Sequence, residues 1–153
     1  MSKRILACRI NPLWSFDAVI TACAEPRDES TGTWITDEMK QAYLALFECG
    51  AAHSVEVWEG DELVGGLYGA ALGNMFFGES MFSKKSNSSK LAFITLSEEL
   101  NKRGFIGIDC QIMNSHLASL GAIDIPRVKF LSLLDDALEQ PTIKGPWSEL
   151  FVT

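Results

Sequence analysis

The sequence predicts an α+β fold in which helices cover an antiparallel-led mixed sheet. Three strand-like runs follow one another between residues 54 and 79, separated by turns at Gly60-Asp61 and Gly73-Asn74. Apolar residues recur at helical spacing before and after these strands. A further strand, Phe105 to Gln111, follows the longest of these helices. The order strand, helix, helix, three antiparallel strands, helix, strand, helix therefore defines the expected architecture.

Length and composition bound the organisation of the chain. It has 153 residues, 47% of them hydrophobic, which suits one compact domain with a substantial core. No apolar run reaches the length of a membrane span, and no small-residue cleavage site follows the N-terminus, so we expect a cytoplasmic protein. The domain is expected over residues 1–140. Pro and Gly punctuate residues 141–153, which should form a tail that is either loosely attached or packed down.

The cysteines give no sign of a metal site or a disulfide framework. Cys8, Cys23, Cys49 and Cys110 are scattered and form no CxxC pair. We therefore expect reduced thiols that are mostly buried, and no bound metal.

The charge balance argues against broad affinity for nucleic acid. Twenty Asp and Glu outnumber 13 Lys and Arg, which gives a net charge of -7. The sequence does not exclude a local basic patch, because the fold determines whether the basic residues come together. Those residues are Lys84, Lys85, Lys90, Lys102, Arg103, Arg127 and Lys129.

Local signals place the first half of the elements. Ile5 to Ile10 is strand-like, and a helix with apolar residues at helical spacing follows Ser15. Thr36 is the expected N-cap of the next helix, which should stop at Gly50. In the second strand of the hairpin, glycines 65, 66 and 69 mark a bulge or a close approach to the backbone.

The second half is read in the same way. Ser88 or Ser89 should cap a long helix that runs to about Arg103. Asn114 should cap a short helix, and Pro126 suits the first turn of the last one.

Asp109 and Gln111 end the strand that follows the long helix. Two residues apart in a strand, their side chains would share one face, where the carboxylate could hold the amide and fix which end points outward. Such a pair could handle a proton. Alternatively, the two side chains only satisfy backbone groups where the strand opens.

The predicted element order is that of a GNAT-like acyltransferase fold. Such domains usually hold the coenzyme A pyrophosphate on a Gly-rich turn before the central helix. The corresponding turn, Lys84 to Ser89, contains no glycine. A CoA-dependent acetyltransferase is therefore disfavoured, and no cofactor is expected.

Several motifs in order resemble one family. They are Gly32-Thr33-Trp34-Ile35-Thr36, Ala52-His53-Ser54-Val55-Glu56-Val57-Trp58, Glu62-Leu63-Val64-Gly65-Gly66-Leu67-Tyr68-Gly69, Gly78-Glu79-Ser80-Met81-Phe82-Ser83, Ile108-Asp109-Cys110-Gln111 and Ile125-Pro126-Arg127. Together they resemble the leucyl/phenylalanyl-tRNA protein transferase family over about Phe16 to Leu138. Members normally carry a further N-terminal domain, and this sequence is expected to contain only the C-terminal GNAT-like one.

The resemblance implies an aminoacyltransferase that needs no cofactor. Its donor would be Leu or Phe on tRNA, and its acceptor a protein whose N-terminus is Arg or Lys, which becomes marked for degradation under the N-end rule. Asp109 and Gln111 match the family's catalytic pair, with the aspartate polarising the glutamine amide. The implied substrate-binding residues are Trp34, Gly78, Glu79, Met81, Phe82, Leu96 and Ile108, and Glu79 would attract the cationic acceptor.

Four alternative interpretations are kept open. The apolar positions could be ordinary core, and His116, which has no partner at ligand spacing, is expected to be a satisfied structural histidine. The chain could also be a non-catalytic binding module for peptide N-termini or aminoacyl ends, or an acyltransferase that uses another donor.

Overall fold

The computed structural model describes residues 6–10, 16–25, 35–145 and 147. In chain order the elements are β1 (Leu6–Ile10), α1 (Phe16–Ala24), α2 (Asp37–Glu48), β2 (Ala52–Glu59), β3 (Glu62–Leu72), β4 (Met75–Ser83), α3 (Ser88–Lys102), β5 (Gly107–Asp109), α4 (Ser115–Ser119) and α5 (Arg127–Leu138). Among the described residues, no helix is both long enough and apolar enough to cross a membrane.

One five-stranded sheet organises the chain, in the order β1-β2-β3-β4-β5. The first four strands are antiparallel to their neighbours, whereas β5 runs parallel to β4, so the predicted antiparallel-led mixed sheet is confirmed. The pairing of β4 with β5 ends at Phe77 and Asp109. Residues 78–83 of β4 continue beyond that point, which leaves an opening between the two strands.

Each face of the sheet carries its own core. Beneath α3, the buried residues include Val55, Val57, Leu67, Phe76, Leu96 and Leu100. On the opposite face, α1 and α2 cover a cluster that includes Phe16, Val19, Ile20, Tyr68 and Phe82. The central strands are buried on both sides, and the opening at the end of β5 therefore gives access to both layers.

The glycines of β3 mark both a bulge and a close approach, as the sequence predicts. In the β3–β4 ladder Tyr68 pairs with Ser80 and Gly69 with Gly78, so Glu79 is an extra residue on β4. A Cβ at Gly69 would collide with the carbonyl of Phe77 and the ring of Phe76. Glycine at position 69 therefore lets β4 lie close enough to form the bulge.

Local capping signals are correct for two helices and wrong for one. Met39 donates its backbone N–H to Thr36 Oγ1 over 3.2 Å, and Leu117 donates to Asn114 Oδ1 over 2.8 Å. The N-cap of α3, however, is Asn87 with φ of 67°, and not Ser88 or Ser89. Ser88 instead donates to the backbone oxygen of Val64 over 2.9 Å, a residue distant in sequence.

The segment after α5 packs onto the sheet. Trp147 is fully buried, and its ring stacks on His53 with centroids 3.6 Å apart and an angle of 9° between the planes. Its indole N–H donates to the backbone oxygen of Ile143 over 3.0 Å. Thr142 Oγ1 accepts the backbone N–H of Gly73 over 2.9 Å. The sequence left open whether the tail is loosely attached or packed down, and the contacts of its described residues are those of a packed segment.

The buried imidazole of His53 makes stability depend on pH. Burial lowers the pKa of His53 to about 3, against a smaller opposing effect of its hydrogen bond with the backbone of Gly50. Between pH 6.5 and about 3 the unfolded chain binds a proton that the native state does not, so the free energy of unfolding falls as pH falls. The slope approaches roughly 1.4 kcal/mol per pH unit well below pH 6.5.

We expect a His53→Phe variant, which keeps a ring against Trp147, to lose this pH dependence. Urea unfolding at pH 7 and pH 5 measures it. Between those values the wild type should lose roughly 1–2 kcal/mol more than the variant. Equal losses in the two proteins would contradict the assignment to His53.

The thiols are less buried than predicted. Cys49 is exposed, and Cys23 and Cys110 are half-buried. The prediction of mostly buried cysteines is therefore wrong for the three that are described. Cys8 lies on β1, whose side chains are outside the described set.

Candidate active site

A cavity of about 1080 Å³ lies where β4 runs past the end of β5. Its walls come from α1, β3, β4 and α3, together with the chain from Ile108 to Leu117. Because this is the opening between the strands, the cavity reaches side chains that belong to both layers of the fold.

The cavity has two chemically different halves. The half beneath α3 is apolar and is lined by Leu67, Phe76, Met81, Phe93, Leu96 and Ile108. The half on the α1 side has a polar lining that includes Cys23, Glu25, Tyr68 and Glu79. An apolar group and a cationic group could therefore be bound on opposite sides of one strand, β4.

Gln111 is held by two contacts at the centre of this opening. Its backbone has φ of 64°, in the left-handed region, and its N–H donates to Asp109 Oδ1 over 2.8 Å. Its side-chain Nε2 donates to the backbone oxygen of Gly78 over 2.9 Å. With the nitrogen end fixed on β4, the oxygen end of the amide is left as an acceptor.

This geometry corrects the predicted arrangement of the pair. The strand stops at Asp109, so Gln111 is not on a shared strand face. The Asp109 carboxylate holds the backbone of Gln111 and not its side-chain amide, which is oriented by Gly78 instead. An Asp side chain in a turn commonly accepts the backbone N–H of the residue two positions later, so the sequence contained a signal for this turn. The prediction of a strand up to Gln111 overlooked that signal.

Glu79 owes its position to the bulge of β4 and to a contact that the sequence did not suggest. The hydroxyl of Tyr43, on α2, hydrogen-bonds to the Glu79 carboxylate. Burial, followed by this hydrogen bond and the charge of Glu79, raises the pKa of Tyr43 far above its usual range. Tyr43 therefore stays protonated and orients the carboxylate that lines the cavity.

The structure shows which of the basic residues lie at the cavity. Lys84 and Lys90 line the cavity and make no ion pair with the described part of the chain. Lys85 pairs with Glu59 and Lys102 with Glu99, and neither lysine lines the cavity. Only two of the seven candidates therefore contribute positive charge to the cavity wall.

His116 is not the structural histidine that the sequence suggested. It is exposed on α4, lines the cavity, and its ring makes no hydrogen bond with the described residues. The prediction failed because the short helix α4 lies at the rim of the cavity and not in a core.

Most of the predicted site residues come together. Gly78, Glu79, Met81, Phe82, Leu96, Ile108 and Gln111 all line the cavity. Asp109 is not part of the lining and contacts it through Gln111. Trp34 lies outside the described residues. Sequence reasoning missed Leu67, Tyr68 and Phe93 as cavity residues, because Leu67 and Tyr68 belong to the buried core of β3 and Phe93 packs on the apolar side of α3.

In the turn before α3, two of the backbone amides that a coenzyme A pyrophosphate would use are engaged within the chain. Such a cradle needs free backbone amides at the helix start. Here the N–H of Ser88 donates to Lys85 O over 3.2 Å, and that of Ser89 to Ser83 Oγ over 3.3 Å. As for metals, residues 6–10, 16–25, 35–145 and 147 contain no group of three His, Cys, Asp or Glu side chains that could hold an ion.

Solved structures with the same architecture define the class as the GNAT acyltransferase fold. A ribosomal-protein-alanine N-acetyltransferase from Brucella melitensis biovar Abortus 2308 superposes with a TM-score of 0.59 at 12% identity, over 79% of this chain and 92% of that one. A possible acetyltransferase from Clostridium difficile 630 gives 0.58 at 13% identity, over 80% and 93%. At these identities the likeness shows the fold alone.

Sequence comparison narrows the class to one family. The family model for leucyl/phenylalanyl-tRNA protein transferase matches residues 2–135, and the chain belongs to that family. It is 58% identical over 132 residues to the transferase of Pseudomonas fluorescens and 54% identical over 132 residues to that of Pseudoalteromonas atlantica. Both matches cover 86% of this chain, but only 58% and 56% of the relatives. The chain thus spans little more than half their length.

Proposed function

We propose that this chain forms the catalytic domain of an aminoacyl-tRNA-dependent transferase. It moves Leu or Phe from the 3′ end of a charged tRNA to the N-terminal amine of a protein that begins with Arg or Lys, which tags that protein for degradation. Membership of the family supports an aminoacyl-tRNA donor and a protein acceptor. A tRNA donor also implies a cytoplasmic location.

The reaction requires few catalytic groups from the protein. The acceptor nitrogen attacks the carbonyl carbon of the ester, an N–C bond forms, and the C–O bond to the tRNA ribose breaks. The amine loses a proton and the ribose oxygen gains one. Because an aminoacyl ester is already activated, positioning the two substrates and accepting the proton of the amine account for much of the rate.

The orientation of Gln111 is the observation that carries this proposal. Its Nε2 is fixed on Gly78 O at 2.9 Å, which leaves the amide oxygen to accept a hydrogen bond from the attacking amine. Asp109 contributes by accepting the Gln111 backbone N–H at 2.8 Å and so holding the left-handed turn. In this role Asp109 is a positioning residue.

The two halves of the cavity support separate binding places for the donor and the acceptor. The apolar half beneath α3 suits the side chain of Leu or Phe. Glu79 on the opposite side suits the cationic end of the acceptor. Lys84 and Lys90 on the cavity wall suit the phosphates at the end of the tRNA.

Transfer of labelled Leu or Phe from charged tRNA to a peptide that starts with Arg tests the proposal. We expect the wild type to transfer the label and Asp109→Ala to slow transfer strongly, by at most the roughly hundredfold expected for loss of the Gln111 amide that it positions. Asp124→Ala, at an exposed position outside the cavity, is the matched control and should transfer normally.

Absence of transfer by the wild type at high protein concentration would contradict the proposed activity. If the same protein still bound the peptide, the chain would be a binding module for peptide N-termini instead.

A further inference from the structure

The Tyr68 hydroxyl is a buried polar group with no hydrogen-bond partner in the part of the chain that the structure describes. The side chain is fully buried, with its ring edge-on to Phe16 at 5.8 Å and to Tyr43 at 5.2 Å. No described residue makes a hydrogen bond with its hydroxyl oxygen. Leaving a buried hydroxyl unpaired lowers stability, so a native structure that keeps one calls for an explanation.

Ser54 shows what distinguishes Tyr68. It is the cross-strand neighbour of Tyr68 in the β2–β3 ladder, and its buried Oγ also lacks a partner in the described part of the structure. Ser54 does not line the cavity, whereas Tyr68 does. Of these two unpaired hydroxyls, only the one on Tyr68 therefore belongs to a residue of the cavity wall.

The surroundings of Tyr68 indicate the chemistry of that molecule. Tyr68 belongs to the α1-side half of the cavity, together with Glu79 and Glu25. Burial, and then the electrostatic effects of Cys23, Tyr43 and Glu79, raise the pKa of Tyr68 far above its usual range. The phenol stays neutral and keeps its lone pairs. A neutral acceptor beside carboxylates suits a group that is cationic and rich in N–H donors.

We propose that the Tyr68 hydroxyl binds the acceptor substrate, with its oxygen accepting a hydrogen bond from the N-terminal amino group that Glu79 attracts. This inference rests on the proposed function and adds a binding residue to it. The acceptor is assigned to this side because the apolar side chain of the donor would occupy the other half of the cavity, beneath α3.

Tyr68→Phe tests the proposal, since it removes only the oxygen and keeps both ring contacts. The measurement is calorimetric binding, without tRNA, of a peptide that starts with Arg and of the same peptide N-acetylated. We expect Tyr68→Phe to weaken binding of the free-amine peptide by about tenfold and to leave the acetylated peptide unaffected. The melting temperature should not fall, because the lost hydroxyl had no partner.

Ser54→Ala is the matched control, because it removes an equally unpaired hydroxyl away from the cavity. It should bind both peptides like the wild type. Unchanged affinity in Tyr68→Phe would overturn the inference, and so would an equal loss for the acetylated peptide or no peptide binding by the wild type. Binding that depends on Tyr68 in a protein without transfer activity would support the inference and overturn only the proposed reaction.

Discussion

Replacing Gln111 with alanine is expected to slow aminoacyl transfer by about a hundredfold, with little change in KM for either substrate. The side chain is exposed and reaches only Gly78 O, so its loss removes the acceptor for the amine proton without opening a core. Removal of one well-placed proton-transfer or hydrogen-bonding group typically costs this much in kcat. Steady-state transfer rates with saturating charged tRNA and peptide measure it.

Two further substitutions test separately the amide group of Gln111 and its position. Gln111→Asn keeps an amide but is one methylene shorter, so it should not reach Gly78 O and should lose nearly as much activity as alanine. Gln111→Glu removes the N–H donor and sets a carboxylate oxygen against the Gly78 carbonyl, so it should be equally slow. Near-normal kcat in Gln111→Ala would contradict the role given to the amide.

Replacing Trp147 with alanine should have the largest effect on stability. The ring is fully buried, stacks on His53 and packs against Phe76 and Phe105 with centroids 6.0 Å away in each case. Truncating such a residue costs about 3–5 kcal/mol, which for a chain of this size lowers the melting temperature by roughly 6–20 °C. Thermal unfolding followed by circular dichroism measures the shift.

Trp147→Phe is the control for this effect. It keeps an aromatic ring against His53 and should recover more than half of the lost stability, although it gives up the indole hydrogen bond to Ile143. A melting temperature within about 2 °C of the wild type in Trp147→Ala would show that the contact contributes little. Because Phe76 also lines the cavity, loss of the tryptophan should loosen the donor side of the site as well.

Sequence reasoning succeeded where the determinants are local or follow a period. The β2–β3 hairpin, the bulge near Gly69 and the caps at Thr36 and Asn114 each depend on a few neighbouring residues. The order of the predicted elements supplied the fold class, and the motif resemblance supplied seven of the residues that line the cavity. Its functional roles for those residues stay predictions.

The failures share a different cause, which is contact across long stretches of chain. Ser88 lies within α3 and its hydroxyl donates to the distant Val64, and Trp147 reaches the core by lying on His53. The side-chain amide of Gln111 is oriented by the backbone of Gly78, on β4, and not by Asp109 as expected. None of these outcomes follows from spacing, since each depends on where a distant segment lies.

The bulge at Glu79 has a consequence for how the site relates to the fold. On either side of it the ladder continues in phase with β3, with Ser80 opposite Tyr68 and Gly78 opposite Gly69. The extra residue therefore adds a carboxylate to the strand without moving any core side chain to the other face. Deleting Glu79 would restore a regular ladder, but it would also take away the hydrogen-bond partner of the Tyr43 hydroxyl, which packs against the core beneath α1 and α2. The bulge therefore joins an acidic group of the cavity to the packing of the fold.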